Sequence, residues 1–260
     1  MRGLEGISVL TDKFRTARFV LVFTGAGIST GSGIPDFRGP QGLWKRWQPV
    51  YYEDFISSHA ARVKHWDFKL SGWAGYRDAQ PNAAHFALAQ LERKGRLHLL
   101  VTQNIDGLHL RAGNSPENTI ELHGTNLRVE CVSCGRLSEP DSAFEQFAAT
   151  REPPTCSACG GFLKPATVSF GQTMPVEKLE HAFRGARSAD LVVSVGSTLE
   201  VEPAASVPLA GKRSGAFYAI INLGPTAHDE IADLRIEGDA CKVLPELVTG
   251  YRTASDIKDV

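Results

Sequence analysis

The 260-residue chain reads as an α/β protein: a parallel, doubly wound sheet with helices on both faces, carrying a smaller second part. Three observations lead there. Apolar, β-branched runs alternate with stretches of helical spacing, which is the pattern of parallel strands joined by right-handed crossovers. The first run, Phe19 to Thr24, stops at Gly25 and Gly27 and turns into a helix. That is the form of a first strand delivering a phosphate group to a helix N-terminus, where glycines let the backbone turn tightly and approach the charge. Finally, residues 127–164 change character and hold two Cys-x-x-Cys pairs.

Bulk properties narrow the classes of partner. The composition, 42% hydrophobic and 22% charged, is that of a globular protein, and a net charge of -1 gives no electrostatic reason to expect nucleic acid or an anionic membrane. No stretch approaches the roughly 20 apolar residues of a membrane span. Residues 1–5 lack the apolar core of a signal peptide, so a cytoplasmic location is expected. Oligomeric state is left unassigned.

The elements follow in order. Leu4, Ile7, Leu10 and Phe14 have helical spacing ahead of the first strand. Residues 31–40 are too rich in Gly and Pro for a regular element and predict a long loop beside the phosphate turn. From Trp44 to Arg77 the chain is aromatic and helical, read as the core of a small helical subdomain rather than a ligand box. Pro81 opens a helix whose Phe86, Leu88 and Leu91 are expected to face inward, with His85 structural and Gly95 closing it.

Leu97 to Thr102 is a second buried strand ending in Gln103, Asn104, Ile105 and Asp106, and residues 118–124 form a third that delivers His123 to the same edge. Ligands of open α/β sheets bind beyond the carboxyl ends of the strands, so these positions are candidates for a site. Further strands are predicted at 190–195, ending in Gly196, Ser197 and Thr198, and at 216–221, ending in Asn222. Helices fall around 177–186 and 204–209, and a last βα pair spans 233–251. The small and polar groups at these ends suit the riboses and adenine of a nucleotide. The whole is a Rossmann-like arrangement.

Cys131, Cys134, Cys156 and Cys159 read as a metal site, since 21 residues between the pairs is close to the spacing of a four-thiolate zinc ribbon. Four protein thiolates leave no open position, so one structural zinc is predicted. Cys241 stands apart as a small, buried residue. The expected organisation is a large part (1–45, 83–127 and 165–260) and a small part made of a helical module (46–82) and a zinc module (128–164).

Taken together, Gly25 to Ser29, Gly33 to Gly39, Thr102 to Asp106, His123-Gly124, the cysteine pairs, Phe170-Gly171, Gly196 to Leu199 with Val201 to Pro203, and Ile221-Asn222 resemble a sirtuin, in that family's order from about residue 18 to 247. The resemblance implies one catalytic domain that removes an acyl group from protein lysine with NAD as cosubstrate. It implies that Gly25, Ala26 and Gly27 hold the pyrophosphate with Arg38, that Phe37 shields the nicotinamide end, and that Gln103 binds ribose hydroxyls. Asn104 and Asp106 are expected around the carboxamide and the reacting ribose carbon, with Asn104 and His123 catalytic and His123 the general base. The same resemblance adds Ser29, Asp36, Ile105, Gly196, Ser197, Thr198, Asn222, Leu223, Ala240 and Cys241 to the NAD contacts. The acylated peptide is expected as an added strand between Val168, Phe170 and Gly171 on one side and Val201 and Glu202 on the other.

Two departures matter. Gln172 stands where many sirtuins have Glu, and Asp67-Phe-Lys-Leu70 stands where those that prefer succinyl or malonyl groups carry Tyr-x-x-Arg. Acetyl or another uncharged acyl group is therefore expected. The rival readings are a sirtuin-like NAD glycohydrolase or ADP-ribosyltransferase, disfavoured by the peptide-clamping segments, and a non-catalytic NAD- or ADP-ribose-sensing module, disfavoured by the presence of His123, Asn104 and Asp106 together. An NAD dehydrogenase is disfavoured because no acidic ribose-binding residue follows a second strand.

Overall fold

A computed structural model describes residues 4–39 and 42–250. The helices are α1 (Leu4–Thr16), α2 (Tyr52–Ser57), α3 (His59–Asp78), α4 (Ala83–Arg93), α5 (Leu108–Ala112), α6 (Asp141–Thr150), α7 (Val176–Ser188), α8 (Ser206–Arg213) and α9 (Ala240–Thr249). The strands are β1 (Val20–Thr24), β2 (Leu99–Thr102), β3 (Thr119–Glu121), β4 (Gly124–Cys131), β5 (Leu137–Ser138), β6 (Leu163–Thr167), β7 (Leu191–Val195), β8 (Phe217–Asn222) and β9 (Leu234–Glu237). Among the described residues no helix is long and apolar enough to cross a membrane.

Six strands form one sheet in the order β3-β2-β1-β7-β8-β9, every pair parallel. Strand order therefore reverses between β1 and β7, and the crevice beyond their carboxyl ends is the switch point where such sheets bind ligands. All five residues of β1 are buried, as a central strand covered on both faces requires. Val20 and Val22 pack with Leu10, Phe14, Leu88 and Leu244 on one face, while Leu21 and Phe23 pack with Ala182, Ala186 and Val207 on the other. Thus α1, α4 and α9 cover one side and α7 and α8 the other.

A second, three-stranded antiparallel sheet, β5-β4-β6, leaves the large sheet directly after His123 and returns at Thr167. Its cysteine loops are carried on a lobe whose apolar centre is shared with α3. Trp66 and Trp73 of α3 pack against Phe144 and Phe147 of α6, and the Trp73 and Phe144 rings stack at 4.3 Å. Burying such rings contributes about 1.5–3 kcal/mol each, which gives the zinc-bearing segment a core it cannot build alone.

The structure departs from the sequence reading at several points. Phe86 is 51% exposed rather than facing inward. The buried face of α4 is Ala84, Ala87, Leu88 and Leu91, and Phe86 lies two residues, or about 200° of helix, from both Ala84 and Leu88. The turn after β1 is a 3-10 helix over Ala26–Ser32, so it takes in the first part of the expected loop. The segment from Trp44 to Arg77 divides into a short 3-10 turn, α2 and α3. Pro40 and Tyr251, at the ends of two expected segments, lie outside the described residues, as does the Leu4 side chain.

Candidate active site

The cleft begins at the switch point, where the two sheet halves meet through backbone alone. Gly25 N–H donates to Val195 O at 3.0 Å and Gly27 N–H to Gly196 O at 2.8 Å. A Cβ on Gly25 would lie 2.7 Å from Ser197 Cβ, one on Gly27 2.8 Å from Gly196 O, and one on Gly196 2.4 Å from Ile28 N. The glycines are required first by this contact between the β1 and β7 ends, and the side-chain-free surface it leaves is what a phosphate could approach.

From there a cleft of about 1270 Å³ runs across the strand ends to the small lobe. It is lined by Gly25, Ala26, Gly27, Asp36, Phe37, Arg38, Gln103, Asn104, Ile105, His123, Gly196, Ser197, Thr198, Asn222, Leu223 and Ala240, all singled out from sequence. Val168, Phe170, Gly171, Val201 and Glu202 line its other end. Ser29, Asp106 and Cys241 are not in the lining. Ser29 and Asp106 are buried behind Asn104, and Cys241 sits beneath the 3-10 turn, its Sγ 2.6 Å from where a Gly31 Cβ would stand.

Asn104 is held by what lies behind it. Its Nδ2 donates to Gly25 O at 3.1 Å and to Ser29 Oγ at 3.2 Å, and Ser29 Oγ donates to Asp106 Oδ2 at 2.7 Å. Asp106 Oδ1 accepts the Leu108 N–H at 2.9 Å; burial nonetheless pushes its carboxyl above the usual carboxylate range. With both amide hydrogens engaged, Asn104 keeps Oδ1 for another donor. His85, read as structural, caps α4 and lies 3.5 Å from Ser29 Oγ, and burial lowers it to about 4.

His123 follows β3, and its Nδ1 lies 2.9 Å from the Gln103 carbonyl. That acceptor places the proton on Nδ1 and leaves Nε2 as the base. Burial and the nearby Arg38 charge lower the imidazole below its ordinary value, while the Gln103 bond opposes them. The chain can turn away immediately because position 124 is glycine: its φ is +74° and a Cβ there would meet Ala166 O. Gln103 Nε2 donates to Ser197 Oγ at 2.9 Å, linking β2 to β7 across the cleft.

The mouth is aromatic and paired. Phe37 lies 5.2 Å from Trp44, which contacts Phe68 at 5.6 Å and Phe170 at 5.8 Å. Trp44, Trp47 and Phe68 line the cleft, so the aromatic stretch divides: Trp66 and Trp73 build the lobe's core, these three face the site, and Tyr76 belongs to both. Arg38 pairs with Glu200 at 3.6 Å. Gln172 Oε1 accepts the Ser169 N–H at 3.0 Å, so this amide supports the Phe170 turn with the acceptor a glutamate would have offered.

Sequence comparison also missed the face of α3 that matters. Asp67 and Leu70 line a separate shallow groove, where Asp67 pairs with Arg151, whereas His65, Phe68 and Lys69 line the main cleft. The signal was available in the three- and four-residue spacing of positions 65, 68, 69, 72 and 76.

The four paired cysteines come together at the far end of the small lobe, their Sγ atoms all within 4.8 Å. Cys131 and Cys159 are 3.5 Å apart, and Cys134 and Cys156 3.9 Å. Tetrahedral Zn–S bonds of about 2.3 Å put sulfurs about 3.8 Å apart, so the four thiolates fit a closed structural zinc.

A reversed-order parallel sheet, a glycine crevice at its switch point, a histidine base and a zinc lobe define a nucleotide-dependent α/β enzyme. The chain belongs to the Sir2 family, whose model matches residues 25–203. It is 42% identical over 244 residues to an NAD-dependent protein deacetylase of Rhodopseudomonas palustris, covering 94% of this chain and 96% of that one. It is 40% identical to one of Thermodesulfovibrio yellowstonii, covering 94% of each. A Sir2 structure with a deacetylated p53 peptide and 3'-O-acetyl ADP-ribose superposes with a TM-score of 0.87 at 36% identity, covering 94% of this chain and 97% of that one. A Sir2–p53 peptide–NAD+ structure gives 0.84 at 35%, with the same coverage.

Proposed function

We propose that the protein is an NAD-dependent protein-lysine deacetylase, yielding nicotinamide, free lysine and O-acetyl-ADP-ribose. The observation that carries this is His123, a base with its tautomer fixed by Gln103, standing in one cleft with the glycine crevice at one end and the Val168–Gly171 and Val201–Glu202 segments at the other. A binding module or a plain NAD hydrolase needs no such extension of the cleft beyond the base.

The residues fit NAD. Gly25 to Gly27 and Gly196 offer bare backbone for the pyrophosphate, Arg38 a cation at the mouth, and Ser197, Thr198 and Asn222 polar groups for ribose and adenine. Bound NAD supplies an electrophilic ribose carbon with nicotinamide as its leaving group. Asn104 Oδ1 orients what lies at that carbon, held by Gly25 O and Ser29, with Asp106 fixing Ser29 from behind. His123 Nε2 accepts the proton of a hydroxyl brought to it. Phe37 and Trp44 exclude water from that end. The peptide adds as an extended strand between Phe170-Gly171 and Val201-Glu202, where main-chain bonding gives affinity with little side-chain selectivity. Cys131, Cys134, Cys156 and Cys159 hold zinc outside the chemistry, and a thiolate metal site in place of disulfides supports a reducing, cytoplasmic location.

Mass spectrometry of an acetyl-lysine peptide with and without NAD tests the reading. Loss of acetyl together with O-acetyl-ADP-ribose, both absent in His123→Ala, is the expected result. Consumption of NAD with the acetyl group untouched would overturn it.

A further inference from the structure

A chain of buried hydrogen bonds runs from α5 to the base. His109, on α5, is 2% exposed, and its Nε2 lies 2.9 Å from Thr24 Oγ1. Thr24 donates its one hydroxyl proton to Thr102 Oγ1 at 2.8 Å, so it accepts the bond from the imidazole, and His109 carries its proton on Nε2. Burial, with His85 beside it at 4.8 Å between ring centres, holds the imidazole well below its ordinary value and so neutral. The bare Nδ1 has no partner, so among the described residues the bond to Thr24 is the ring's one hydrogen bond.

Thr24 and Thr102 end β1 and β2 and stand opposite each other in register. Thr102 Oγ1 also accepts the Asn104 N–H at 3.0 Å. That N–H belongs to the same planar peptide unit as the Gln103 carbonyl, which lies 2.9 Å from His123 Nδ1. The preceding unit is already fixed, since Gln103 N–H donates to Thr24 O at 3.0 Å. Rotation of the 103–104 plane is the freedom that remains, and the two threonines remove it. Bonding the N–H also polarises the unit and strengthens its carbonyl as an acceptor.

Resting on the deacetylase reading, we propose that His109 is a positioning residue: through Thr24 and Thr102 it sets the plane of the Gln103–Asn104 peptide unit, and with it the tautomer and aim of His123. His109 does not line the cleft, so it acts on the reaction only through this chain. Its effect falls on proton transfer and not on cofactor binding. The Asn104 side chain is held separately by Gly25 O and Ser29, and the Gln103 side chain by Ser197.

The test compares wild type, His109→Leu, Thr24→Val and His109→Gln on an acetyl-lysine peptide with NAD, at a temperature where circular dichroism shows each to be folded. His109→Leu fills the space without a donor and is expected to lower kcat about tenfold or more, with NAD affinity by calorimetry kept within about threefold. Thr24→Val breaks the chain at its middle hydroxyl and should match that loss. His109→Gln keeps an N–H and should regain most of it. In a His123→Ala background His109→Leu is expected to change nothing further, whereas a general loosening of the site would add its own loss. Unchanged kcat in both chain-breaking variants, a loss carried by NAD affinity instead, or an undiminished loss without His123 overturns the proposal. Should neither variant fold, NMR of wild type with 15N-labelled histidine decides: a His109 proton on Nε2 alone supports the chain, and an Nδ1 proton on His109 overturns it. Wild type that leaves the acetyl group untouched in the presence of NAD removes the deacetylase reading, while the NMR still reads the chain by itself.

Discussion

His123 Nδ1 and the Gln103 carbonyl oxygen stand 2.9 Å apart, and the Gln103 side chain reaches on to Ser197 of the opposite half-sheet at 2.9 Å. The base is therefore oriented by the nucleotide side of the cleft. His123→Ala is expected to lower deacetylation by about 10²- to 10⁴-fold while NAD affinity, read by calorimetry, stays within a few-fold. Since burial and Arg38 lower the imidazole, activity is retained down through pH 6.5 and falls off only below it. A kcat/KM profile whose acid limb lies above 6.5 would contradict this.

Gly25→Ala puts a methyl 2.7 Å from Ser197 Cβ and 2.8 Å from Gly196 O, between two backbones that cannot both hold position. Overpacking of that kind costs about 1–3 kcal/mol. Urea unfolding should show that loss, and NAD affinity should fall by about tenfold or more because the phosphate surface is the part displaced.

One zinc per chain is expected by metal analysis, and Cys134→Ser should lose it. Structural thiolate zinc carries about 10–16 kcal/mol of apparent binding free energy, so its removal unfolds the module. Trp66 and Trp73 pack on Phe144 and Phe147 of that module, so tryptophan emission should shift to the red when a strong chelator is added. Unchanged emission after complete metal removal would show that the lobe holds without it.

Glu121, at the end of β3, is pushed by burial up to about 7, with Lys178 opposing the shift and Asp106 adding to it. A carboxyl raised in the folded state binds its proton more tightly there than when unfolded. Stability therefore falls as pH rises from 4.5 through about 7, by about 1–3 kcal/mol after allowance for its partial exposure. Glu121→Gln should flatten that fall, so that Tm at pH 8 gains relative to Tm at pH 5.

Much of this was legible in the sequence. Central parallel strands are continuous apolar runs, so β1, β2, β7 and β8 and the polar residues after them could be placed by eye. The cysteine spacing pointed to its ligand chemistry in the same way. What escaped were properties of faces and depth. The reading placed Phe86 inward because an aromatic residue in an amphipathic stretch suggests burial, whereas helical phase puts it in water. Lys69 lies one residue from where the Tyr-x-x-Arg pattern puts its Arg, but its burial leaves no local trace in sequence. Ser29 and Asp106 were read as ligand contacts, and only the fold shows that they are hydrogen-bonded in a chain behind Asn104.

β4 and β6 join the cysteine end of the small lobe to the reacting end of the cleft, pairing Cys131 with Leu163 at one extremity and Gly124 with Thr167 at the other. The four steps of β6 from Leu163 to Thr167 make an arm of about 13 Å. A tilt of about 4–5° at the metal end arrives beside His123 and Val168 as a displacement of about 1 Å, enough to cost about 10²-fold in rate. The zinc lobe is thus the long arm of a lever, and the tolerance of the reaction is set by how stiffly that distant arm is clamped.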